Sequence, residues 1–225
     1  RELLFRSKGM KDNIGGVILF DETIRQKAKD GTLLRDIISD QGALPGIKVD
    51  KGLQPIEDCP NETVTVGLDG LDERLKEYSS MGAKFTKWRA VINIGDGIPT
   101  DKCIDANMQA LADYAKCAQD NGMVPIVEPE VLMDGEHNID QCFEATERSL
   151  KSLFSHLEKA SVNIKGTLLK PNMVTSGKDA TDQASVEEVA QKTLDCLIAN
   201  VPAELPGITF LSGGQSEILA TAHLD

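Results

Sequence analysis

The sequence predicts an α/β protein built as a (β/α)8 barrel, with about six βα units present in the chain. Three observations lead there. Short apolar runs begin near positions 15, 46, 85, 123, 162 and 207, spaced 31 to 45 residues apart. Polar-apolar stretches of helical period fill the gaps between them, which is the pattern of parallel strands with helices outside. No G-x-G-x-x-G follows any run, which favours a barrel over a doubly wound sheet. On this reading residues 1–225 form a single, incomplete barrel domain, with the first and last strands missing. The start on Arg1 and the stop at Asp225 a few residues into a helical pattern fit a segment of a longer protein.

The elements follow in order. GGVILF (15–20) is a buried strand behind glycines. Residues 21–39 read as two short helical pieces broken at Gly31. GIKVD (46–50) is the second strand, with Lys48 and Asp50 on one face by the two-residue period. Residues 64–67 read as a loop. Leu68, Leu71 and Leu75 then repeat at helical spacing until Gly82. FTKWRAVINI (85–94) is the third strand. The helix over 100–121 buries Met108, Leu111, Ala112 and Ala115, and Asn121-Gly122 stops it. MVPIVE (123–128) is the fourth strand and 138–160 the next helix. VNIKGTLLK (162–170) holds the fifth strand. Ser185 caps a helix over 185–200, with Glu187 and Glu188 in its first turn. GITFL (207–211) is the sixth strand, and a further helix starts at Gln215.

Composition narrows the function. The hydrophobic fraction is 40%, the charged fraction 27% and the net charge −12. These values suit a globular protein and argue against nucleic acid or an anionic membrane as partner, since both need a basic surface. No apolar run reaches the length of a membrane span. Five cysteines, odd in number and without C-x-x-C, fit a reducing cytoplasm better than a disulfide framework. His137, His156 and His223 form no metal-binding motif, so neither a metal nor another cofactor is called for.

The chemistry collects at the strand ends, where barrels carry their sites. Those ends present Lys48 and Asp50, Lys87 and Arg89, Glu128 and Glu130, Lys170 and Asn172, then Ser212. Buried charges cost several kcal/mol each unless paired, so five charged or polar strand ends imply a polar pocket. Glu128 and Lys170 each precede a proline, which holds them extended and is expected to end the ladder there. Lys170 closes an apolar run. A lysine in that setting is either paired with a carboxylate or gives up its proton more readily, and the second case makes it a nucleophile for a carbonyl carbon. Imine formation needs a proton shuttle, a role open to Glu128 or Glu130. Lys48, Lys87 and Arg89 suit substrate phosphate. Ser212-Gly213-Gly214, between a strand and a helix start, suits a phosphate cradle. A ring of barrel-interior salt bridges without chemistry is the plainer alternative.

IKVDK, FTKWRAVINI, PIVEPEVL, GTLLKPNMVTSG and GITFLSGGQSE, in this order over essentially the whole chain, resemble class I fructose-bisphosphate aldolase. The resemblance implies a cytoplasmic, glycolytic lyase with a (β/α)8 TIM barrel, usually a homotetramer. Such an enzyme cleaves the phosphorylated sugar fructose 1,6-bisphosphate to dihydroxyacetone phosphate and glyceraldehyde 3-phosphate through a lysine Schiff base. It further implies that Lys170 is the Schiff-base lysine and Glu128 the general acid/base, with Glu130 and Lys87 beside them in the catalytic pocket. Lys48 and Arg89 match the family's substrate-binding cations, and Ser212, Gly213 and Gly214 its phosphate loop. The family's first-strand aspartate and its late phosphate-binding arginine have no counterpart here. The rival readings are a phosphosugar-binding barrel or scaffold that has lost catalysis, and a transaldolase, against which the KWR and SGGQSE stretches speak.

Overall fold

The structure is a computed structural model describing residues 1–225. Its strands are β1 (Gly16–Leu19), β2 (Leu44–Lys48), β3 (Leu53–Ile56), β4 (Cys59–Thr65), β5 (Phe85–Ile92), β6 (Val124–Val131) and β7 (Leu168–Leu169). Five of them form one parallel sheet in the order β1-β2-β5-β6-β7. The βα alternation expected for a barrel is therefore present, with neighbouring strands following one another in the chain.

Three differences from the expected strands have physical causes. The fifth strand is only Leu168–Leu169, because Asn163 caps a 3-10 turn over Ile164–Gly166 in front of it. The sixth run reaches the sheet by a single bridge, Leu169 to Ile208, although Thr209 N and Leu211 N donate to Leu169 O and Pro171 O. The region expected as a loop over 64–67 begins with the end of an antiparallel hairpin, β3–β4. Pro55 and Pro60 interrupt the hairpin's period, which hides it, while left-handed Asp58 shapes its turn and left-handed Asn61 distorts β4 just after it.

That hairpin supports the site. Thr65 Oγ1 donates to Arg89 O at 2.8 Å, and buried Asn107 bonds both Thr65 N and Thr63 O. The hairpin thereby ties β5 to the helix Asp101–Asp120.

The long helices start behind side-chain caps, at Ser185 as the sequence predicts and at Thr100 and Asn138 at the start of the expected ranges. Thr100 accepts from Cys103 N, Asn138 forms a capping box with Gln141, and Ser185 accepts from Glu188 N. The helix after Leu68 starts at Leu71, and the last one starts at Glu217 behind Ser216 rather than at Gln215. Apolar faces of the helices ahead of residue 201 and one face of the sheet supply most of a single buried cluster of 44 residues. Met108, Leu111, Ala112 and Ala115 all lie in it.

Alternation along the strands decides which side chains leave that core. On β5, Thr86 and Trp88 meet Tyr114 of the helix Asp101–Asp120, by a 2.7 Å hydrogen bond and a ring stack at 5.4 Å. Phe85, Lys87 and Arg89 must then point to the opposite, inner face. At its lower end the Phe85 ring fills the space left by glycines: a Cβ on Gly46 would sit 2.3 Å from it, and one on Gly16 2.8 Å. Gly46→Ala is expected to destabilise by about 1–3 kcal/mol and to lower Tm by about 2–12 °C. A melt indistinguishable from wild type would show that the ring gives way freely.

Candidate active site

The register of the sheet assembles the site. Residues opposite one another on parallel neighbours share a face. Lys48 lies opposite Lys87, Arg89 opposite Glu128, and Leu168 opposite Ile126. Lys170, two residues beyond Leu168, therefore arrives beside Glu128. Its backbone N–H donates to Val127 O at 2.8 Å.

Lys170 Nζ donates to Glu128 Oε1 at 2.6 Å, and Lys87 Nζ stands 2.7 Å from Oε2 of the same carboxylate. The side chains of Lys170, Lys87 and Glu128 are 19%, 11% and 5% exposed. Lys87 is close enough for an ion pair but is not aligned for a hydrogen bond, so Oε2 has no hydrogen-bond donor. One carboxylate thus sits between two lysines with an acceptor to spare. Of the two states the sequence leaves open for Lys170, the structure displays the paired one.

Two further pairs flank this triad. Lys48 bonds Asp50 Oδ1 and Asp50 O, and Asp50 Oδ2 lies 3.4 Å from Arg89 N. The Arg89 guanidinium bonds Glu130. Burial works against the Arg89 charge, but the hydrogen bond and charge of Glu130 outweigh it and raise its pKa above the ordinary value. Four cations thus face three carboxylates across the ends of β2, β5, β6 and β7. The surplus positive charge suits an anionic ligand.

Ser212, Gly213 and Gly214 lie one to three residues beyond Leu211, whose N–H donates to Pro171 O. Both glycines take left-handed φ, +63° and +94°, which a side chain would strain. Ser212 is exposed, and its carbonyl accepts from Gln215 N at 3.1 Å. The loop is a turn ahead of the helix Glu217–Ala222 and not its first turn. It borders a cavity of about 450 Å³ lined in part by Gly214, Gln215, Thr175 and Ser176. No group of three or more His, Cys, Asp or Glu side chains is arranged to hold a metal ion.

Comparison with known proteins decides the family. The model for glycolytic fructose-bisphosphate aldolase class-I matches residues 1–225. This chain belongs to the class-I fructose-bisphosphate aldolases. A probable fructose-bisphosphate aldolase class 1 of Xanthomonas campestris is 57% identical over 225 residues, all of this chain and 67% of that protein. The cytosolic fructose-bisphosphate aldolase 4 of Arabidopsis thaliana is 48% identical over 225 residues, all of this chain and 57% of that protein. The Plasmodium falciparum aldolase, solved with TRAP and a small-molecule inhibitor, matches with a TM-score of 0.97 at 45% identity. That match covers 99% of this chain and 65% of the solved one. The aldolase chain here thus spans about two thirds of the length of these relatives, or less. Its fold is that of an aldolase barrel, and the activity of its class is that of a metal-independent lyase.

Within the aldolase site, sequence reasoning undervalued two residues. Asp50 was legible as a strand-end neighbour of Lys48, but its partnership needs the register to be seen. Asn172 was legible as a strand-end polar residue, but its three hydrogen bonds were not. The expectation that proline ends the ladder fails at Pro129, which lies inside β6. Val127 O faces Lys170 N, so by alternation residue 129 turns its absent N–H toward the same neighbour, just where β7 stops. The ladder with β5 runs on undisturbed to Ile92–Val131.

The loops after β6 and β7 are stitched together above the aldolase site. Gly177 N donates to His137 O, Lys178 N to Met133 O and Asp179 N to Gly135 O, at 2.7–3.0 Å. His137 is 6% exposed, neither ring nitrogen has a partner, and burial lowers its pKa. The folded state therefore prefers the neutral ring, while the unfolded chain takes up a proton near pH 6.5. The stability that His137 contributes is full above about pH 6.5 and declines as pH falls below it. Tm is expected to drop between pH 7.5 and 5.5 by more in wild type than in His137→Leu. Parallel Tm profiles would refute this.

Proposed function

We propose that this site cleaves fructose 1,6-bisphosphate reversibly through an imine on Lys170. The observation that carries the reading is the 2.6 Å contact between Lys170 Nζ and Glu128 Oε1, with Lys87 on the other carboxylate oxygen. It gives the ammonium an acceptor for its proton and gives the free amine a nearby acid. The amine attacks the substrate's C2 carbonyl carbon. Glu128 protonates the carbinolamine oxygen, and water leaves. The C4 hydroxyl then gives up its proton to the Glu128 carboxylate, which holds it for the enamine, the C3–C4 bond breaks, and its electron pair moves into the iminium. Glyceraldehyde 3-phosphate departs. Protonation of the resulting enamine and hydrolysis release dihydroxyacetone phosphate and restore the amine.

Lys87 stabilises the Glu128 carboxylate between proton transfers, and Glu130 holds Arg89. Lys48 and Arg89 take up substrate phosphate by exchanging or sharing their carboxylate partners, and Ser212, Gly213 and Gly214 supply a cradle open to backbone approach. The reading extends to a cytosolic homotetramer, for which the motif resemblance is the support. The cytosolic Arabidopsis relative supports the location. The net charge of −12 speaks against nucleic acid or an anionic membrane as partner, while the four cations against three carboxylates at the strand ends support a small anionic substrate. No helix is long and apolar enough to cross a membrane.

Borohydride trapping tests the reading. The protein is mixed with dihydroxyacetone phosphate, reduced and digested, and the peptide containing Lys170 is weighed. The expected result is one reduced three-carbon adduct on Lys170. A protein that binds the ligand without forming an adduct would instead be a phosphosugar-binding barrel.

A further inference from the structure

A proline on β6 interrupts its contact with the strand that carries Lys170. The ladder runs through Ile126–Leu168 and Val127–Leu169, and then Lys170 N donates to Val127 O. The parallel pattern would next place the N–H of residue 129 on Lys170 O, and Pro129 has none. On the other strand Pro171 faces away from β6, its carbonyl accepting from Leu211 N at 3.3 Å. The two catalytic side chains therefore leave their strands where the ladder between those strands has stopped.

A side chain takes the ladder's place. Asn172 is 4% exposed. Its Oδ1 accepts from Val131 N at 3.0 Å, at the position where the next backbone carbonyl would have served. Its Nδ2 donates to Thr146 Oγ1 at 3.1 Å and to Met173 O at 3.0 Å. Both donors and the acceptor of the amide are engaged, which fixes its orientation. Thr146 is itself buried on the helix Ile139–Lys159, which follows β6. One amide thus joins the segment behind Lys170, the end of β6 behind Glu128 and Glu130, and the next helix.

Taking the Schiff-base reading above as its basis, we infer that Asn172 is a positioning residue that sets the reach of Lys170 to Glu128, with Thr146 orienting its amide. It touches no reacting atom. It acts by restoring, through a side chain, the contact between the two strands that Pro129 removes. On that reading substrate phosphate is met by β2, β5 and the loop at Ser212, and the Asn172 amide hydrogen-bonds none of them. Its loss is therefore expected to lower kcat about 10- to 100-fold through misplacement of the amine, with KM within about threefold of wild type.

Thr193 supplies the control. Its Oγ1 accepts from Val174 N at 2.9 Å, so it holds the same tail from the helix Val186–Asn200 with no link to β6. The measurements are kcat, KM, Tm and the rate of borohydride trapping for the wild-type gene product and for Asn172→Ala, Thr146→Val, Thr146→Ser and Thr193→Val. Asn172→Ala and Thr146→Val are expected to lose kcat and trapping rate at near-constant KM. Thr146→Ser, which keeps the hydroxyl, is expected to recover both. Thr193→Val is expected to lose Tm while keeping kcat. A kcat loss that simply follows Tm across all four variants would overturn the inference, as would wild-type kcat in Asn172→Ala. Should Asn172→Ala fail to fold, the Thr146 pair decides: equal rates in Val and Ser overturn it. Absence of an adduct in wild type sinks the Schiff-base reading itself, whereas a wild-type adduct with unaltered variants sinks only the role of Asn172.

Discussion

Lys170→Met is expected to abolish cleavage, lowering kcat by at least about 10⁴-fold, while the protein stays folded. Methionine nearly matches the lysine stem in length and packs as well, so the change removes the amine and little else. Without it no imine forms, and the C3–C4 bond has no electron sink. The fold should tolerate the change, because Glu128 keeps Lys87 at 2.7 Å as its counter-ion. Substrate should still bind, since Lys48, Arg89 and the loop at Ser212 are untouched. Steady-state assays and a binding titration check both halves. Measurable borohydride trapping in Lys170→Met would move the imine to another lysine, with Lys87 as the first to examine. Lys170→Arg keeps the charge pairing with Glu128 but not the nucleophile, so it should be equally inactive. That variant separates the loss of a charge from the loss of an amine.

How far this site could be read in the sequence depends on how local its signals are. Lys48, Lys87, Arg89, Glu128, Glu130 and Lys170 announce themselves because each is a charge at the end of an apolar run, where burial without a partner is costly. The period of two along a strand is enough to put Lys87 with Arg89 and Glu128 with Glu130. Which carboxylate each cation meets is a matter of register. Lys87 lies opposite Ile126 but reaches Glu128, and Arg89 lies opposite Glu128 but bonds Glu130. Both cations of β5 pair with the carboxylate two residues nearer the mouth than their opposite number, which no pattern within one strand reveals. The helix cap at Ser185 was legible for the reason that a cap is a local contact, and the starts of the helices near 100 and 138 coincide with the caps Thr100 and Asn138. The β3–β4 hairpin was not, since Pro55 and Pro60 break its alternation and its bonds go to Arg89 and Asn107, far along the chain. Its surviving signal is the run Thr63-Val64-Thr65-Val66 behind left-handed Asp58 and Asn61.

Glu128→Gln should cost both activity and stability, which makes it the opposite of Lys170→Met. As the proton carrier in carbinolamine dehydration, Glu128 is worth about 10²–10⁴-fold in kcat. Glutamine keeps the shape but can neither take the Lys170 proton nor give one back. It also leaves Lys87 and Lys170 facing each other without the carboxylate that now separates them. Both lysine heads are largely buried, so the loss is not that of a surface pair, and a cost on the order of 2–3 kcal/mol is expected. For a chain of this size that corresponds to a fall in Tm of about 4–12 °C. The two effects can be parted by Lys87→Met in the Glu128→Gln background. Removing one of the two facing cations should return much of the lost Tm while leaving the chemistry broken. If Tm and kcat instead recover together, Glu128 acts only by neutralising the lysines, and the proton must be carried by another group, of which Glu130 is the nearest on the same strand face.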